Sequence, residues 1–426
     1  MAGLCALLLT ATPAAARPTV KLSRAEAQPG VRVVVAGHGF PRSAALRLSL
    51  GGRTLLRART GRRGGFRLAF RVPDRAAGAY WIRAFVRGRR VRRRFRIRAV
   101  PLPSALEPAP APAQAQPAAT PTPPAPEVPT LVAAGDISCR PELQETATTC
   151  RQARTAALAE SLAPDAVAVL GDNQYEHGEL QNFVAAYDPT WGPFKAITHP
   201  AVGNHEYEGD PERDDAPGYF QYFGAAAGDP TQGYYRWALG DWTVFVLNSG
   251  AINYTRDTGL RPELADDCWP VSCMVGSAQE QWLRAELATL PAASCVLAYW
   301  HHPRFSSGFS GQNQPHPETE PLFDALYDHD AELILTGHSH NYERFEPLAP
   351  GGTADPDGVP DPNGITQFVV GTGGRNLHTP GPQLLTSEVL RADVFGVLEL
   401  TLAPGGWSSR FIAEDGSSVD QAAEGC

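Results

Sequence analysis

Short apolar runs that stop abruptly dominate the sequence from residue 130 onward. They read TLVAAGD, DAVAVLGD, ITHPAVGNHE, WTVFVLNSG, SCVLAYWHHP, AELILTGHSH and QFVVGTGG, and helical stretches such as SAQEQWLRAEL lie between some of them. Strands that are apolar on both faces are typical of sheets covered by other layers on both sides. The pattern predicts a layered α/β domain over residues 130–426.

Residues 17–100 follow a different pattern. Runs such as VRVVVAGHGF, ALRLSLGG and VRRRFRIRAV alternate apolar with polar or basic positions, and Gly, Pro and Asp turns separate them. Such alternation is typical of strands that bury one face only. Five or more of these runs predict an all-β, immunoglobulin-like sandwich ahead of the α/β domain.

Charge divides the chain at the same place. Residues 17–100 contain 23 Lys and Arg against two acids, whereas the rest of the chain carries a net charge of -29. The run RGRRVRRRFRIR (87–98) could bind an anionic cell-surface polymer, or it could form a solvated strand face that balances an acidic neighbouring domain. The sequence contains no dedicated nucleic-acid-binding motif.

Two further segments have a recognisable composition, and the first of them predicts where the protein is located. The first 16 residues have an apolar stretch that ends in three alanines, as expected of a secretory signal peptide. Residues 101–129 form a Pro/Ala-rich tract, which predicts a semi-rigid linker between the two domains. Beyond the signal, no segment approaches the roughly 20 apolar residues that a membrane-spanning helix needs. We therefore expect a secreted or cell-surface-associated protein.

Six cysteines remain once Cys5 of the predicted signal is set aside. An even number in an exported chain favours disulfides, with free buried thiols as the alternative. We expect the close pairs Cys139–Cys150 and Cys268–Cys273, which leaves Cys295 to pair with Cys426.

The chemically interesting residues follow the apolar runs directly. They are Asp136, Asp172, Tyr175, Asn204, His205, His301, His302, His338 and His340. In layered α/β structures ligands bind beyond the strand ends, so these loops could converge on one site. Oxygen and imidazole donors without thiolates suit iron, zinc or manganese. There are too many donors for one ion, which indicates two ions, and Asp172 could bridge them because a carboxylate can give one oxygen to each cation.

The ordered motifs GD (135–136), GDNQY (171–175), GNHE (203–206), WHHP (300–303) and GHSH (337–340) resemble those of the calcineurin-like metallophosphoesterases, and within them the purple acid phosphatases. The resemblance covers residues 130–426 and implies a fold of two packed β-sheets flanked by helices, which a β-sandwich domain precedes in many members. Ser138 stands where many members have a histidine. The purple acid phosphatases also lack that histidine and use the tyrosine of GDxxY instead.

The resemblance also implies a role for each residue. One ion would be bound by Asp136, Tyr175 and His340, the other by Asn204, His301 and His338, with Asp172 between them. His205 would be a general acid or phosphate contact. His302 and His316 are further candidates for contacting or protonating the substrate.

The function expected from this reasoning is hydrolysis of small phosphate monoesters by attack of a metal-bound hydroxide. The metal pair implied by the resemblance is Fe(III) with Zn, Mn or Fe(II). A phosphodiesterase of the same fold is the nearest alternative. The other is a surface polymer-binding protein with a secondary phosphoesterase module.

Overall fold

The computed structural model describes residues 18–28, 31–50, 53–72, 78–87, 89–98, 128–208, 215–251, 267–291, 294–308, 316–351 and 357–426. The predicted signal peptide and all but the last two residues of the predicted linker lie outside these ranges. The chain divides into two compact units.

The first unit is a β-sandwich. Its strands are β1 (Thr19–Leu22), β2 (Glu26–Ala27), β3 (Arg32–His38), β4 (Ala45–Leu50), β5 (Arg53–Arg59), β6 (Phe66–Arg71), β7 (Gly78–Val86) and β8 (Arg89–Ile97). They form a three-stranded sheet in the order β1-β3-β6 and a five-stranded sheet in the order β2-β8-β7-β4-β5. The predicted all-β sandwich is confirmed.

Alternation in the sequence explains how this sandwich packs. In β4, Leu46, Leu48 and Leu50 are buried, and the residues between them are partly exposed. Phe95 and Ile97 of β8 are also buried, and they pack with the three leucines of β4 in a single apolar core. Arg92, Arg94 and Arg96, at the alternate positions of β8, therefore face away from that core.

The second unit contains fifteen strands among the described residues. They are β9 (Thr130–Ala134), β10 (Ala166–Leu170), β11 (Thr198–Ala201), β12 (Tyr235–Leu239), β13 (Trp242–Val246), β14 (Cys295–Tyr299), β15 (Leu333–Thr336), β16 (Tyr342–Phe345), β17 (Leu348–Ala349), β18 (Val359–Pro360), β19 (Thr366–Val370), β20 (Ser387–Arg391), β21 (Gly396–Ala403), β22 (Gly406–Ala413) and β23 (Ser418–Gly425).

These strands form two large mixed sheets. One has the order β11-β10-β9-β21-β22-β23, and the other has the order β12-β13-β14-β15-β19-β16-β20. Strands β9, β10 and β11 are parallel neighbours in the first sheet. Strands β13, β14, β15 and β19 are parallel neighbours in the second. All five residues of β10 and of β14 are buried, as expected for strands covered on both faces.

Helices cover the outer faces of both sheets. The described helices are α1 (Gln152–Ser161), α2 (Leu180–Asn182), α3 (Asn204–Tyr207), α4 (Pro217–Phe223), α5 (Ala278–Thr289) and α6 (Glu320–His329), with a π-helical turn at Phe183–Tyr187 and 3-10 turns at Gly192–Ile197, Gly224–Ala227 and Pro317–Thr319. The two sheets enclose one apolar core, and a further core lies between each sheet and its helices. This is the predicted fold of two packed sheets flanked by helices.

Three disulfides link the second unit, in the predicted pairs: Cys139–Cys150, Cys268–Cys273 and Cys295–Cys426. The last pair ties the C-terminal end of the chain, next to the edge strand β23, to the start of β14. Asp420 of β23 also forms a salt bridge, in which Arg344 Nε donates to Asp420 Oδ2 over 2.7 Å. Tyr342 Oη donates a hydrogen bond to the same oxygen over 2.7 Å. Although burial alone would raise it, these partners hold the pKa of Asp420 below its usual value.

No helix among the described residues is long and apolar enough to cross a membrane.

Candidate metal centre

The predicted ligands lie in loops that follow parallel strands. Asp136, Asp172 and Asn204 come after β9, β10 and β11 of one sheet, and His301 and His338 come after β14 and β15 of the other. The C-terminal ends of parallel strands meet at one edge, so the loops converge there.

Several of these residues adopt a backbone conformation that is rare outside glycine. The φ angles of Asp136, Asp172, His338 and His340 are 59°, 49°, 68° and 30°. Such residues cluster at functional sites, where surrounding structure holds them in place. The neighbouring Gly171 has a φ of 88°, and a Cβ there would lie 2.6 Å from His301 Nδ1. Glycine is therefore required in the GDNQY motif both for its backbone and for the space it leaves.

One set of donors surrounds the Tyr175 hydroxyl. Tyr175 Oη lies 2.9 Å from Asp136 Oδ1, 3.1 Å from Asp172 Oδ2 and 2.8 Å from His340 Nε2. His340 Nδ1 donates its proton to the carbonyl oxygen of Asn376 over 2.9 Å, so Nε2 presents a lone pair. We refer to Asp136, Tyr175 and His340 as the tyrosine group.

A second set surrounds His301. His301 Nε2 lies 3.1 Å from Asn204 Oδ1, 3.3 Å from His338 Nδ1 and 3.1 Å from Asp172 Oδ2. His301 Nδ1 donates to the carbonyl oxygen of Leu170 over 2.9 Å, which again leaves a lone pair on Nε2. We refer to Asn204, His301 and His338 as the amide group.

Asp172 belongs to both sets through a single atom. Its Oδ2 faces Tyr175 and His301, whereas its Oδ1 accepts the backbone N–H of His205 over 2.9 Å. From the sequence we expected one carboxylate oxygen of Asp172 to bind each of two cations. In the structure one oxygen is common to both groups, because the backbone occupies the other.

The donor set fits two cations. Asp136, Asp172, Tyr175 and His301 are all buried, and in both groups oxygen and nitrogen atoms that can donate lone pairs to a cation lie close together. Burial and the neighbouring carboxylates raise the pKa of Tyr175 well above 10. Burial lowers the pKa of His301, but the Asp172 carboxylate outweighs it and raises that pKa to about 9. The carboxylates that favour a proton on His301 would equally favour a cation bound between the two groups, because either would offset their negative charge.

His205 lies beside Asp172 on the more open side of the site. Its Nδ1 donates to the carbonyl oxygen of Glu176 over 2.6 Å, and its Nε2 lies 3.8 Å from Asp172 Oδ2. Burial lowers the pKa of His205, but Asp172 and Glu208 outweigh that effect and raise it. Its side chain is 22% exposed, so it can reach a bound substrate.

His302 and His316 lie next to the amide group. The ring centroids of His302 and His338 are 4.4 Å apart, and those of His302 and His316 are 4.8 Å apart. One ring nitrogen from each of His301, His302 and His338 lies within 4.8 Å of the others. Burial and the neighbouring histidines lower the pKa of His302 well below 6.5. The structure therefore brings together all the residues that the sequence singled out.

Glu206 is a supporting residue whose role the sequence did not reveal. Its buried carboxylate accepts the backbone N–H groups of Asp172, Asn173, Gln174 and Gly203. It thereby fixes the GDNQY and GNHE loops relative to each other. Its place in the GNHE motif was the available signal, but a carboxylate beside metal ligands suggests a ligand more readily than a partner for backbone.

Two residues on the loop after β19 also contact the tyrosine group. The His378 ring stacks on that of His340 with centroids 3.8 Å apart, and the Arg375 guanidinium lies 5.1 Å from the centroid of the Tyr175 ring. Nothing in the local sequence GGRNLHTP indicated these contacts.

Two facing mixed sheets carry carboxylate, amide, phenol and imidazole donors at the ends of their parallel strands, which defines the fold and the candidate metal site. Residues 129–342, just over half of the chain, match the family model for the calcineurin-like phosphoesterases, and the chain belongs to that family. The predicted family is confirmed.

The relatives with matching sequences are purple acid phosphatases. The chain is 23% identical to purple acid phosphatase 15 of Arabidopsis thaliana over 241 residues, which cover 50% of this chain and 40% of that protein. It is 22% identical to purple acid phosphatase 22 of the same plant over 209 residues, covering 46% of this chain and 43% of that protein. The chain thus spans less than half the length of these relatives.

A solved structure agrees in fold. Purple acid phosphatase PPD1 from yellow lupin (Lupinus luteus) seeds matches with a TM-score of 0.52 at 16% identity, over 96% of this chain and 74% of that chain. The predicted resemblance to purple acid phosphatases is confirmed.

Proposed function

We propose that this protein is a secreted phosphatase that hydrolyses phosphate monoesters with two bound metal ions. One observation carries the proposal: Asp172 Oδ2 lies 3.1 Å from both Tyr175 Oη and His301 Nε2, so a single buried oxygen joins two complete donor groups.

Each group would hold one ion. Asp136, Tyr175 and His340 would bind the first, Asn204, His301 and His338 the second, and Asp172 would bridge them. Two bound cations would neutralise the charge on phosphate oxygens and lower the pKa of bound water, which supplies the nucleophile. No Ser or Cys nucleophile is needed in this reaction.

His205 would supply the proton for the leaving group. The bond from its Nδ1 to the Glu176 carbonyl fixes the ring, and its Nε2 is the nitrogen nearer Asp172. When protonated, Nε2 donates to the ester oxygen as the phosphorus–oxygen bond breaks, so the alcohol leaves neutral. Water that has already lost a proton to solvent would attack phosphorus from the opposite side, and its oxygen would become the fourth oxygen of the released phosphate.

The tyrosine group favours a strongly Lewis-acidic ion. Its environment raises the pKa of the Tyr175 phenol well above 10, so only a strongly polarising cation would bind it as phenolate. Fe(III) meets this requirement. Zn, Mn or Fe(II) would suit the amide group, which offers imidazoles and one amide oxygen.

Export from the cell is supported by the cysteines. All six cysteines outside the predicted signal form disulfides, and disulfides persist in oxidising compartments.

The test pairs elemental analysis with two substrates. We expect two metal ions per chain, at least one of them iron, and faster hydrolysis of 4-nitrophenyl phosphate than of bis(4-nitrophenyl) phosphate. His340→Ala should lose metal and activity, and His199→Ala is the matched control because His199 lies in β11 and stacks on Trp237. Preference for the diester would favour the phosphodiesterase alternative, and fewer than two metals in active protein would refute the two-metal proposal.

A second proposal concerns the basic sandwich, which we infer binds an anionic cell-surface polymer. The outer face of its five-stranded sheet supports this: the Arg92 and Arg94 guanidiniums lie 4.0 and 5.7 Å from the centroid of the Trp81 ring, and Arg47 lies 5.6 Å from that of Phe85. Rows of cations held by aromatic rings suit a linear polyanion.

Charge reversal tests this second proposal in the full chain. Arg92→Glu with Arg94→Glu should elute from heparin and polyphosphate columns at much lower salt than wild type. The matched control reverses Arg32 and Arg67, which lie exposed on the other sheet. An equal shift in both double variants would mean that net charge alone acts, and no retention of wild-type protein would refute the proposal.

A further inference from the structure

His302 and its neighbour Ser249 suggest a role that the metal assignments leave open. We propose that His302 donates a hydrogen bond from its Nε2–H group to a substrate phosphate oxygen and is neither a metal ligand nor a general acid, and that Ser249 is the positioning residue that fixes this tautomer. This inference rests on the proposed phosphatase function.

The hydrogen bonds of Ser249 determine where the His302 proton lies. Ser249 Oγ accepts the backbone N–H of His302 over 3.1 Å and lies 2.8 Å from His302 Nδ1. These are the contacts that Ser249 Oγ makes among the described residues. A hydroxyl has one proton to donate, and Nδ1 is the acceptor in reach. Nδ1 therefore accepts, and the imidazole proton lies on Nε2.

Two of the three proposed ligand histidines, His301 and His340, have the opposite arrangement. His301 and His340 each donate from Nδ1 to a backbone carbonyl, which cannot donate in return. Their Nε2 atoms thus carry lone pairs that can bind a cation. His302 carries a proton at Nε2, so it offers a hydrogen-bond donor where the other two offer ligands.

The location of His302 Nε2 suits a donor to phosphate. The side chain is fully buried, and Nε2 has no hydrogen-bond partner among the described residues. The ring lies 4.4 Å from that of His338, between centroids, and therefore beside the amide group. A buried N–H without an acceptor is costly, and an anionic oxygen bound next to the amide group would satisfy it.

Hydrogen bonds made by the preceding residue, Asn248, hold the segment that contains Ser249 in place. Asn248 Oδ1 accepts the backbone N–H of Gly250 over 2.8 Å, and Asn248 N–H donates to Gln279 Oε1 over 2.7 Å. Asn248 Nδ2 also donates to Tyr207 Oη over 2.9 Å. Ser249 is held in place before substrate arrives, as expected of a residue that positions another.

Kinetics on two substrates distinguish a donor from a general acid. His302→Ala should lower kcat/KM about 10- to 100-fold, to the same extent for an aryl phosphate and an alkyl phosphate, because a lost bond to a charged oxygen does not depend on the leaving group. His302→Gln should recover much of the loss, since its amide nitrogen can occupy the position of Nε2. His302→Ala should keep the wild-type metal content and weaken inhibition by inorganic phosphate.

Ser249 is tested with a matched serine. Ser249→Ala should lower kcat/KM by about threefold to tenfold, as loss of one orienting hydrogen bond predicts. Ser409→Ala removes an equally buried hydroxyl in β22 and should stay near wild type. Nitrogen NMR of the full chain labelled at histidine should show His302 protonated at Nε2, and the Nδ1 form should become populated in Ser249→Ala.

Three results would overturn the inference: loss of a metal ion in His302→Ala, a larger loss on the alkyl ester, or a proton on Nδ1 in the wild-type spectrum. Wild-type protein without phosphatase activity would instead refute the proposed function. The NMR spectrum would then still decide the tautomer of His302.

Discussion

Asp172→Asn perturbs the one atom that joins both donor groups. The asparagine oxygen can keep the bond from the His205 backbone N–H, which directs the new NH2 group toward the position of Oδ2. That position lies 3.1 Å from both Tyr175 Oη and His301 Nε2. The substitution therefore removes a negative charge and places a donor where a cation would bind.

The size of the effect follows from burial. Removing one partner from a buried charged cluster costs about 3–5 kcal/mol, a factor of roughly 100 to 4,000 in metal affinity or rate. We expect the variant to bind fewer than two metals per chain and to lose nearly all hydrolysis of 4-nitrophenyl phosphate.

Asp165→Asn is the matched control. Asp165 immediately precedes β10, at the opposite end of the strand from Asp172, and its Oδ2 accepts the Thr130 N–H over 2.7 Å. It should keep its metals and activity. If Asp172→Asn retained two metals and more than about a tenth of the wild-type rate, the bridging assignment would be refuted.

The colour of the protein, the backbone at Gly171 and the ion pair of Asp420 provide three further tests. If the tyrosine group holds Fe(III), purified protein should be pink to purple, and Tyr175→Phe should lose the colour while keeping appreciable hydrolysis; colourless, iron-free, active protein would contradict this. Gly171→Ala should lower stability by about 1–2 kcal/mol and reduce metal content, because its Cβ would lie 2.6 Å from His301 Nδ1; unchanged melting and metal content would show that the loop adapts. Asp420→Asn should cost about 2–3 kcal/mol at pH 7 through lost bonds to Arg344. The folded pKa of Asp420 is lowered, so its contribution is present above about pH 4 and fades as pH falls through the folded pKa; an equal cost at pH 7 and pH 2.5 would exclude this role.

The layered fold could be predicted from the sequence because each buried strand is a short, continuous apolar run. β10 and β14 are uniformly apolar, and each ends where its motif begins. The run TLLRAR within β5 gives a weaker signal, because it does not alternate cleanly between apolar and polar positions.

The candidate metal ligands could also be predicted from the sequence, because each has a side chain that can bind a metal. The residues that position those ligands could not be predicted. Glu206 and Ser249 act through hydrogen bonds to residues about 30 and 50 positions away in the chain, and such contacts depend on how the loops pack. The tautomers of the histidines follow from those contacts. For the same reason the sequence could not decide which oxygen of Asp172 is shared.

Crystallography of the metal-loaded protein, with anomalous scattering to locate the ions, is the decisive test of a two-metal site bridged by Asp172. We expect two peaks about 3.5–4 Å apart, on either side of Asp172 Oδ2, one beside Tyr175 and His340 and the other beside Asn204 and His301. A single peak, or an ion bound to His302 Nε2, would contradict it.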